Sequence, residues 1–287
     1  MSFDTQLFHI VDEALREDVG DGDHSTLSCI PADVKGIAVL EIKDNGVLAG
    51  MEVARKIFEY KEPGSAFKAF KLDGDAMTPG ESAFEINASV HTILKCERLV
   101  LNCMQRMSGI STLTSLYAEK LKNYKTSLLD TRKTTPNFRL LEKDAVRIGG
   151  GFNHRFGLYD MIMLKDNHID YCGGIEKAIN RAYEYVQTTK KNLNIEVEAR
   201  DIGEVKKVIA TGKGKVFRIM LDNFTPVQIM EALHLIKEDF ETEASGGINL
   251  DNIEDYAKTG VDYISVGALI HQARSLDLSL KARVAAN

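Results

Sequence analysis

The cations Arg132, Lys133, Arg139, Arg147, His154, Arg155 and Lys165 fall close together in a chain whose formal net charge is -6. An arginine fork grips a carboxylate through two parallel hydrogen bonds, and a lysine adds a point charge. Such a cluster in an acidic protein implies a ligand with several negative groups. For any one of them, Arg147 above all, the plain alternative is a solvated helix face, and Arg139 fits either role. Acids follow. Glu196 and Glu198 lie two apart, so on a strand both point to one side, where they repel unless a cation or metal joins them. Glu198 and Asp222 lie on neighbouring strands. They could hold Mg²⁺ through oxygens and waters, stabilise positive charge growing on a sugar ring, or form structural ion pairs with Lys or Arg. Ser245-Gly246-Gly247 precedes a helix and Gly267 ends the next strand, an arrangement in which backbone N–H groups can approach a phosphate closely. Gly149-Gly150-Gly151 reads only as a turn, because GxxxxGK[ST] is absent.

These residues sit at the ends of short apolar runs. Strands are predicted at 127–129, 161–164, 195–197, 216–221, 240–244 and 263–266, and helices at 175–189, 202–210, 226–237 and 250–258. The strand ends read Asp130-Thr131-Arg132-Lys133, Lys165-Asp166-Asn167-His168, Glu196-Val197-Glu198, Asp222-Asn223, Ser245-Gly246-Gly247, and Ser265 with Gly267. Alternating strand and helix implies a parallel sheet. A succession of polar strand ends is the layout of a (β/α) barrel with its site at the C-terminal face. A doubly wound dinucleotide fold loses ground, since no GxGxxG follows a strand. The first half, to about residue 110, differs. Asp4 is predicted to cap a helix with the apolar stripe Leu7, Ile10, Val11, Ala14 and Leu15. An acidic loop from Asp18 to Thr26 follows. Strands are expected at 36–42, 46–49, 66–72 and 82–90, then a helix over 92–123 that breaks near Ser108-Gly109.

Bulk properties narrow the class. With 44% hydrophobic and 27% charged residues the chain is an ordinary globular sequence. Its net charge argues against nucleic acid or anionic membrane as main partner. No apolar run is long enough to span a membrane, and the first residues lack the pattern of a signal peptide. The 4 cysteines form no CxxC pair, and Cys96 and Cys103 read as one core helix face. A reducing cytoplasm is the expected setting. Asp21, Asp23 and Ser25 suggest a calcium loop, but Thr26 and Ala32 stand where Gly and Glu are required. Zinc spacings and a GxSxG elbow are absent. Lys165 could form a Schiff base, although its charged neighbours favour an ammonium over a free amine.

The combination Asp130-Thr-Arg-Lys-Thr-Thr-Pro-Asn-Phe-Arg139, Gly149-Gly-Gly-Phe-Asn-His-Arg155, Lys165-Asp-Asn-His168, Leu221-Asp-Asn223 and Ala244-Ser-Gly-Gly-Ile248 resembles the quinolinate phosphoribosyltransferase family. Glu97-Arg98 and Ser108-Gly-Ile110 extend the likeness over nearly the whole chain. The resemblance implies an N-terminal α/β sandwich followed by an incomplete parallel (β/α) barrel. It implies domains at 1–110 and 111–270, with a tail at 271–287 packing back on the first. The implied reaction joins quinolinate to phosphoribosyl pyrophosphate, giving nicotinate mononucleotide, pyrophosphate and carbon dioxide. Carried over by motif, Arg132, Lys133, His154, Arg155 and Lys165 form the quinolinate pocket, and Arg98 enters from the second subunit of a homodimer. Glu198 and Asp222 face the ribose and Mg²⁺, with Lys133, Glu198 and Asp222 as the catalytic set. Ser245, Gly246, Gly247 and Gly267 cradle phosphate. Asn137 stands where the family usually has Gly, and Asn tolerates positive φ best among the other residues. The rival readings are a related enzyme acting on nicotinate, a barrel lyase or aldolase using Lys165, and a non-catalytic binder of a phosphorylated ligand.

Overall fold

A computed structural model describes residues 2–283, and the chain divides into two units. The first comprises residues 1–115, 134–150 and 269–287, and the second residues 116–133 and 151–268. The C-terminal segment groups with the first unit, and so does the segment 134–150.

The first unit is built on a four-stranded antiparallel sheet in the order Leu278–Arg283, Lys35–Ile42, Ser82–Ser89, Ala66–Ala69. Ser82–Ser89 alternates as predicted, burying Phe84, Ile86 and Ala88 and exposing Asn87. Phe84 stacks edge-on with Phe58 from the helix Met51–Lys61, at a centroid distance of 6.3 Å. The first helix, Phe3–Val19, buries Leu7, Val11 and Leu15, but its cap is Ser2, whose side chain accepts from Thr5 N; Asp4 lies in the first turn instead. The acidic loop also differs from expectation. Asp23 accepts from Thr26 N and starts a short helix, His24–Cys29.

The helix Val90–Leu121 runs unbroken through Ser108-Gly109. The reason is tertiary. A Cβ at Gly109 would meet the Arg274 carbonyl oxygen at 1.8 Å, so the glycine serves close approach of the C-terminal segment. Ser108 Oγ accepts from Ala49 N at 3.0 Å, which binds the helix further. Cys96 and Cys103 are both buried on it.

The second unit is the predicted parallel sheet. Its strands are β1 Ser127–Leu129, β2 Ile162–Leu164, β3 Ile195–Ala199, β4 Arg218–Asp222, β5 Glu241–Ser245 and β6 Tyr263–Ser265. They pair in the order β1-β6-β5-β4-β3-β2. Helices Ile175–Thr189, Ile202–Gly212 and Pro226–Ile236 follow β2, β3 and β4 much as predicted. Asp201 caps the second of these, and a Thr225–Gln228 capping box with Pro226 starts the third. β4 and β5 sit one to two residues later than expected, because Arg218 and Glu241 pair in register at their starts. Among the described residues no pairing joins β1 to β2. Phe152 instead bridges Leu129 in parallel, extending the sheet beyond β1. Nor is any helix of the described residues long and apolar enough to cross a membrane.

Candidate active site

The parallel register decides what the strand tops present. Lys165 directly follows β2, and Leu164 pairs with Val197, so Lys165 stands beside Glu198. Its Nζ lies 2.7 Å from Glu198 Oε2. Two residues lower on β3, Glu196 turns to the same face and is wholly buried. The pair of carboxylates that repel in sequence are thus separated in structure. Each has its own cations.

At the top of β4, Asp222 accepts from Ser245 Oγ at 2.7 Å and from Asn223 Nδ2 at 2.6 Å. Ser245 ends β5, and Gly246 and Gly247 follow with φ of +93° and +67°. A Cβ on Gly246 would stand 2.1 Å from Asn223 Oδ1, so only glycine lets Asn223 pack this closely against the turn. Ser265 is buried at the end of β6, two residues before Gly267. Asn137 takes φ +61°, as its turn requires. Arg139 Nε donates to Thr134 Oγ1, and Arg147 pairs with Asp144 at 2.8 Å on an exposed helix face.

The top of β1 is organised by Asp130, which sequence reading left without a role. It is fully buried and accepts from His154 N at 2.9 Å and Asn153 Nδ2 at 2.7 Å. Phe152 N donates to Leu128 O and Asp130 N to Phe152 O, so residues 152–154 are fixed beside β1. Beyond them, the Asp160 carboxylate closes a loop by accepting from Phe156 N and Gly157 N. Arg155 is placed between these features, with Nη1 donating to Met161 O at 3.2 Å. Burial and the neighbouring Arg132 charge push the Arg155 guanidinium below its ordinary value. Lys133 is exposed, with its backbone N–H on Thr131 Oγ1. Arg98 is exposed on its helix in the first unit.

Below the strand tops lies a buried ionic cluster that the sequence did not reveal. His154 Nε2 is 3.1 Å from Glu196 and 3.3 Å from Glu243, while Arg218 Nη1 is 2.9 Å from Glu243. Glu196 and Glu243 are fully buried, and Arg218 lies over the Tyr263 ring at 4.0 Å. Burial opposes charge on His154, but its contacts with Glu196 and Glu243 prevail and push it up to about 9. Burial and the adjacent Glu243 charge hold Glu196 above the usual carboxylate range. Arg155 N lies 2.7 Å from His154 Nδ1, a bond that Nδ1 can accept only when the ring is neutral with its proton on Nε2. One ligand atom from each of His154, Glu196 and Glu243 falls within 4.8 Å of the others, near enough for a metal. Arg218 already neutralises the same carboxylates, so the arrangement is an ion-pair network. A cavity of about 330 Å³ borders it, lined by Leu129, Phe152, His154, Arg155, Arg218 and Tyr263 among others.

The family model of the quinolinate phosphoribosyl transferase N-terminal domain matches residues 23–108, and that of the C-terminal domain matches residues 110–281. Quinolinate phosphoribosyltransferase (decarboxylating) 1b of Nicotiana tabacum is 42% identical over 285 residues, covering 95% of this chain and 81% of that protein. A probable nicotinate-nucleotide pyrophosphorylase (carboxylating) of Bacillus subtilis strain 168 is 40% identical, covering 96% of this chain and 93% of its own. The crystal structure of NadC from Streptococcus pyogenes superimposes with a TM-score of 0.88 at 41% identity, covering 96% of both chains.

Proposed function

The chain belongs to the quinolinate phosphoribosyltransferase family, and from that premise we propose that it is the enzyme converting quinolinate and phosphoribosyl pyrophosphate to nicotinate mononucleotide, pyrophosphate and carbon dioxide. The observation that carries the reading is the gathering of cations at the strand tops, with Arg132 following β1, Arg155 on the segment bridged to β1 and Lys165 following β2. Cations gathered there suit a ligand with more than one negative group, and quinolinate carries two adjacent carboxylates.

The residues divide the work. Arg132, Lys133, Arg155 and Lys165 hold the diacid, with His154 beneath Arg155, and Arg98 of a partner subunit completes the pocket in a homodimer. Ser245, Gly246, Gly247 and Gly267 receive the phosphate through backbone N–H groups; Gly246 lets Asn223 pack against the turn, and the space beside Gly247 is open. The quinolinate ring nitrogen attacks the anomeric carbon as pyrophosphate departs. Glu198 and Asp222 stabilise the oxocarbenium character of the ribose, and their fixed hydrogen bonds spare reorganisation during the step. The alkylated pyridinium then withdraws electrons, so the adjacent carboxylate leaves as carbon dioxide. Catalysis is mainly the positioning of charge. Glu198 and Asp222 offer only oxygen donors, which fits Mg²⁺. When bound with phosphoribosyl pyrophosphate, the ion would neutralise the leaving pyrophosphate. The ion pair of Lys165 with Glu198 leaves no free amine for Schiff-base chemistry, which argues against the aldolase reading. The enzyme works in the cytoplasm in this account and supplies de novo NAD synthesis. Purified protein given phosphoribosyl pyrophosphate and Mg²⁺ should consume quinolinate, followed by its ultraviolet absorbance. No loss of absorbance would overturn the proposal.

A further inference from the structure

Asp130 has no part in the chemistry above, yet its side chain is a fully buried carboxylate at the top of β1. Burying a carboxylate is costly unless hydrogen bonds replace its water. Here both oxygens are used, and both on one neighbouring segment. Oδ1 accepts the backbone N–H of His154 at 2.9 Å, and Oδ2 accepts Asn153 Nδ2 at 2.7 Å. These bonds prolong a short backbone connection. Phe152 bridges Leu129 in parallel, Phe152 N donates to Leu128 O, and Asp130 N donates to Phe152 O. Above this bridge no strand ladder joins the two segments among the described residues, and the Asp130 side chain carries the connection onward. On its other side β1 is held by β6, where Leu129 pairs with Ser265.

Each of the two segments carries cations of the clamp. Arg132 and Lys133 come two and three residues after Asp130, and Arg155 directly follows the residue whose N–H Asp130 accepts. We propose that Asp130 is a positioning residue for the diacid: its carboxylate fixes the two cation-bearing segments against each other, so that Arg132 and Lys133 meet the same ligand as His154 and Arg155. The inference rests on those four residues forming the quinolinate pocket. The groups proposed for ribose and phosphate stand at the ends of β3, β4, β5 and β6. Loosening the link at Asp130 therefore disturbs quinolinate and spares phosphoribosyl pyrophosphate. The negative charge of Asp130 by itself would disfavour an anion nearby, so what the pocket gains from this residue is its hydrogen bonds.

Calorimetric binding of quinolinate tests this, with the KM for phosphoribosyl pyrophosphate measured beside it. Asp130→Ala leaves the His154 N–H and the Asn153 amide without this acceptor, and should bind quinolinate about thirtyfold more weakly. Asp130→Asn keeps both links, since its Oδ1 accepts the His154 N–H and its Nδ2 donates to Asn153 Oδ1 once that amide turns over. It should bind within about twofold of wild type, because hydrogen bonds and not charge do the positioning. The KM for phosphoribosyl pyrophosphate should stay unchanged in both. Equal weakening by Ala and Asn would overturn the inference, and so would an equal rise in the phosphoribosyl pyrophosphate KM, the mark of a merely structural role. In an Arg155→Ala background the loss caused by Asp130→Ala should shrink to about threefold, since one positioned cation is gone; an undiminished loss there would also overturn it. If Asp130→Ala fails to fold, Asn153→Ala removes one of the two links at an exposed residue. It should weaken quinolinate binding about fivefold, and wild-type affinity would contradict the proposal. Arg155→Ala with unchanged quinolinate binding is a separate result: it would sink the clamp, and the inference with it. A failure of the inference alone looks different, with Arg155→Ala weakening quinolinate and Asp130→Ala leaving it unchanged.

Discussion

Replacing Gly246 by alanine tests the phosphate turn with a single methyl group. The position has φ +93°, outside the range an L residue adopts readily, and holding alanine there costs about 1–3 kcal/mol. The new methyl would also stand 2.1 Å from Asn223 Oδ1 and 2.9 Å from the Asn223 backbone nitrogen. Asn223 cannot simply move aside. Its N–H donates to Ser245 O at 2.8 Å, and its side chain donates to Asp222 at 2.6 Å. Relieving the overlap adds about 1–3 kcal/mol. The strain is divided between fold stability and the geometry of Asp222, Ser245 and the turn. Gly246→Ala should therefore melt several degrees lower and raise the KM for phosphoribosyl pyrophosphate at least about tenfold. Quinolinate affinity should change less than about threefold, because the clamp lies on other strands. Gly247→Ala is the internal control. Its Cβ meets nothing within 4 Å and its φ is +67°, so only the modest cost of a left-handed residue, about 1–2 kcal/mol, remains. Steady-state kinetics with each substrate varied, beside thermal melts, decide the matter. A wild-type KM for phosphoribosyl pyrophosphate in Gly246→Ala would refute the assignment of this turn to phosphate.

Asp222→Asn and Glu198→Gln should lower turnover with little effect on quinolinate binding by calorimetry, since their proposed partners are the ribose and Mg²⁺; weakened binding with intact turnover would place them in the wrong half of the site. Arg98→Ala and Arg132→Ala should each lose most activity. Mixed in equal amounts with subunit exchange confirmed by native mass spectrometry, they should recover roughly a quarter of wild-type activity, because half the dimers then contain one intact site. No recovery would remove Arg98 from the partner's pocket. His154 binds its proton more tightly folded than unfolded, its value rising from 6.5 to about 9, so the stability it contributes is complete below pH 6.5 and lost as the pH rises to about 9. Thermal melts should show a larger fall over that interval for wild type than for His154→Asn, and parallel curves would contradict the assignment.

Much of this site was legible before any fold was known, because charges at strand ends are local features. Lys165, Glu198, Asp222 and Ser245 stand at the ends of β2, β3, β4 and β5 where short apolar runs placed them. The remainder depended on contacts between distant residues. Glu196 was seen to need a cation, but nothing in the sequence pointed to His154 or Arg218, and Glu243 looked like any strand acid. Sequence shows which groups exist, whereas the parallel register decides which of them share the barrel interior. Ser108-Gly109 misled for the same reason. A Gly inside a helical pattern suggests a break, and only the nearness of Arg274 shows that it permits close packing. Ser2 caps the first helix in place of Asp4 because its side chain accepts from Thr5 N, which leaves Asp4 in the first turn.

The central claim is that the strand tops present a clamp for two carboxylates, and the most direct measurement is kcat/KM for quinolinate against nicotinate with the same protein, phosphoribosyl pyrophosphate and Mg²⁺. Nicotinate leaves part of the clamp around Arg132, Arg155 and Lys165 without a partner. An unpaired charge of this kind costs about 2–5 kcal/mol, so quinolinate should be preferred by roughly 30- to 4000-fold. Equal specificity constants for the two acids would contradict the account.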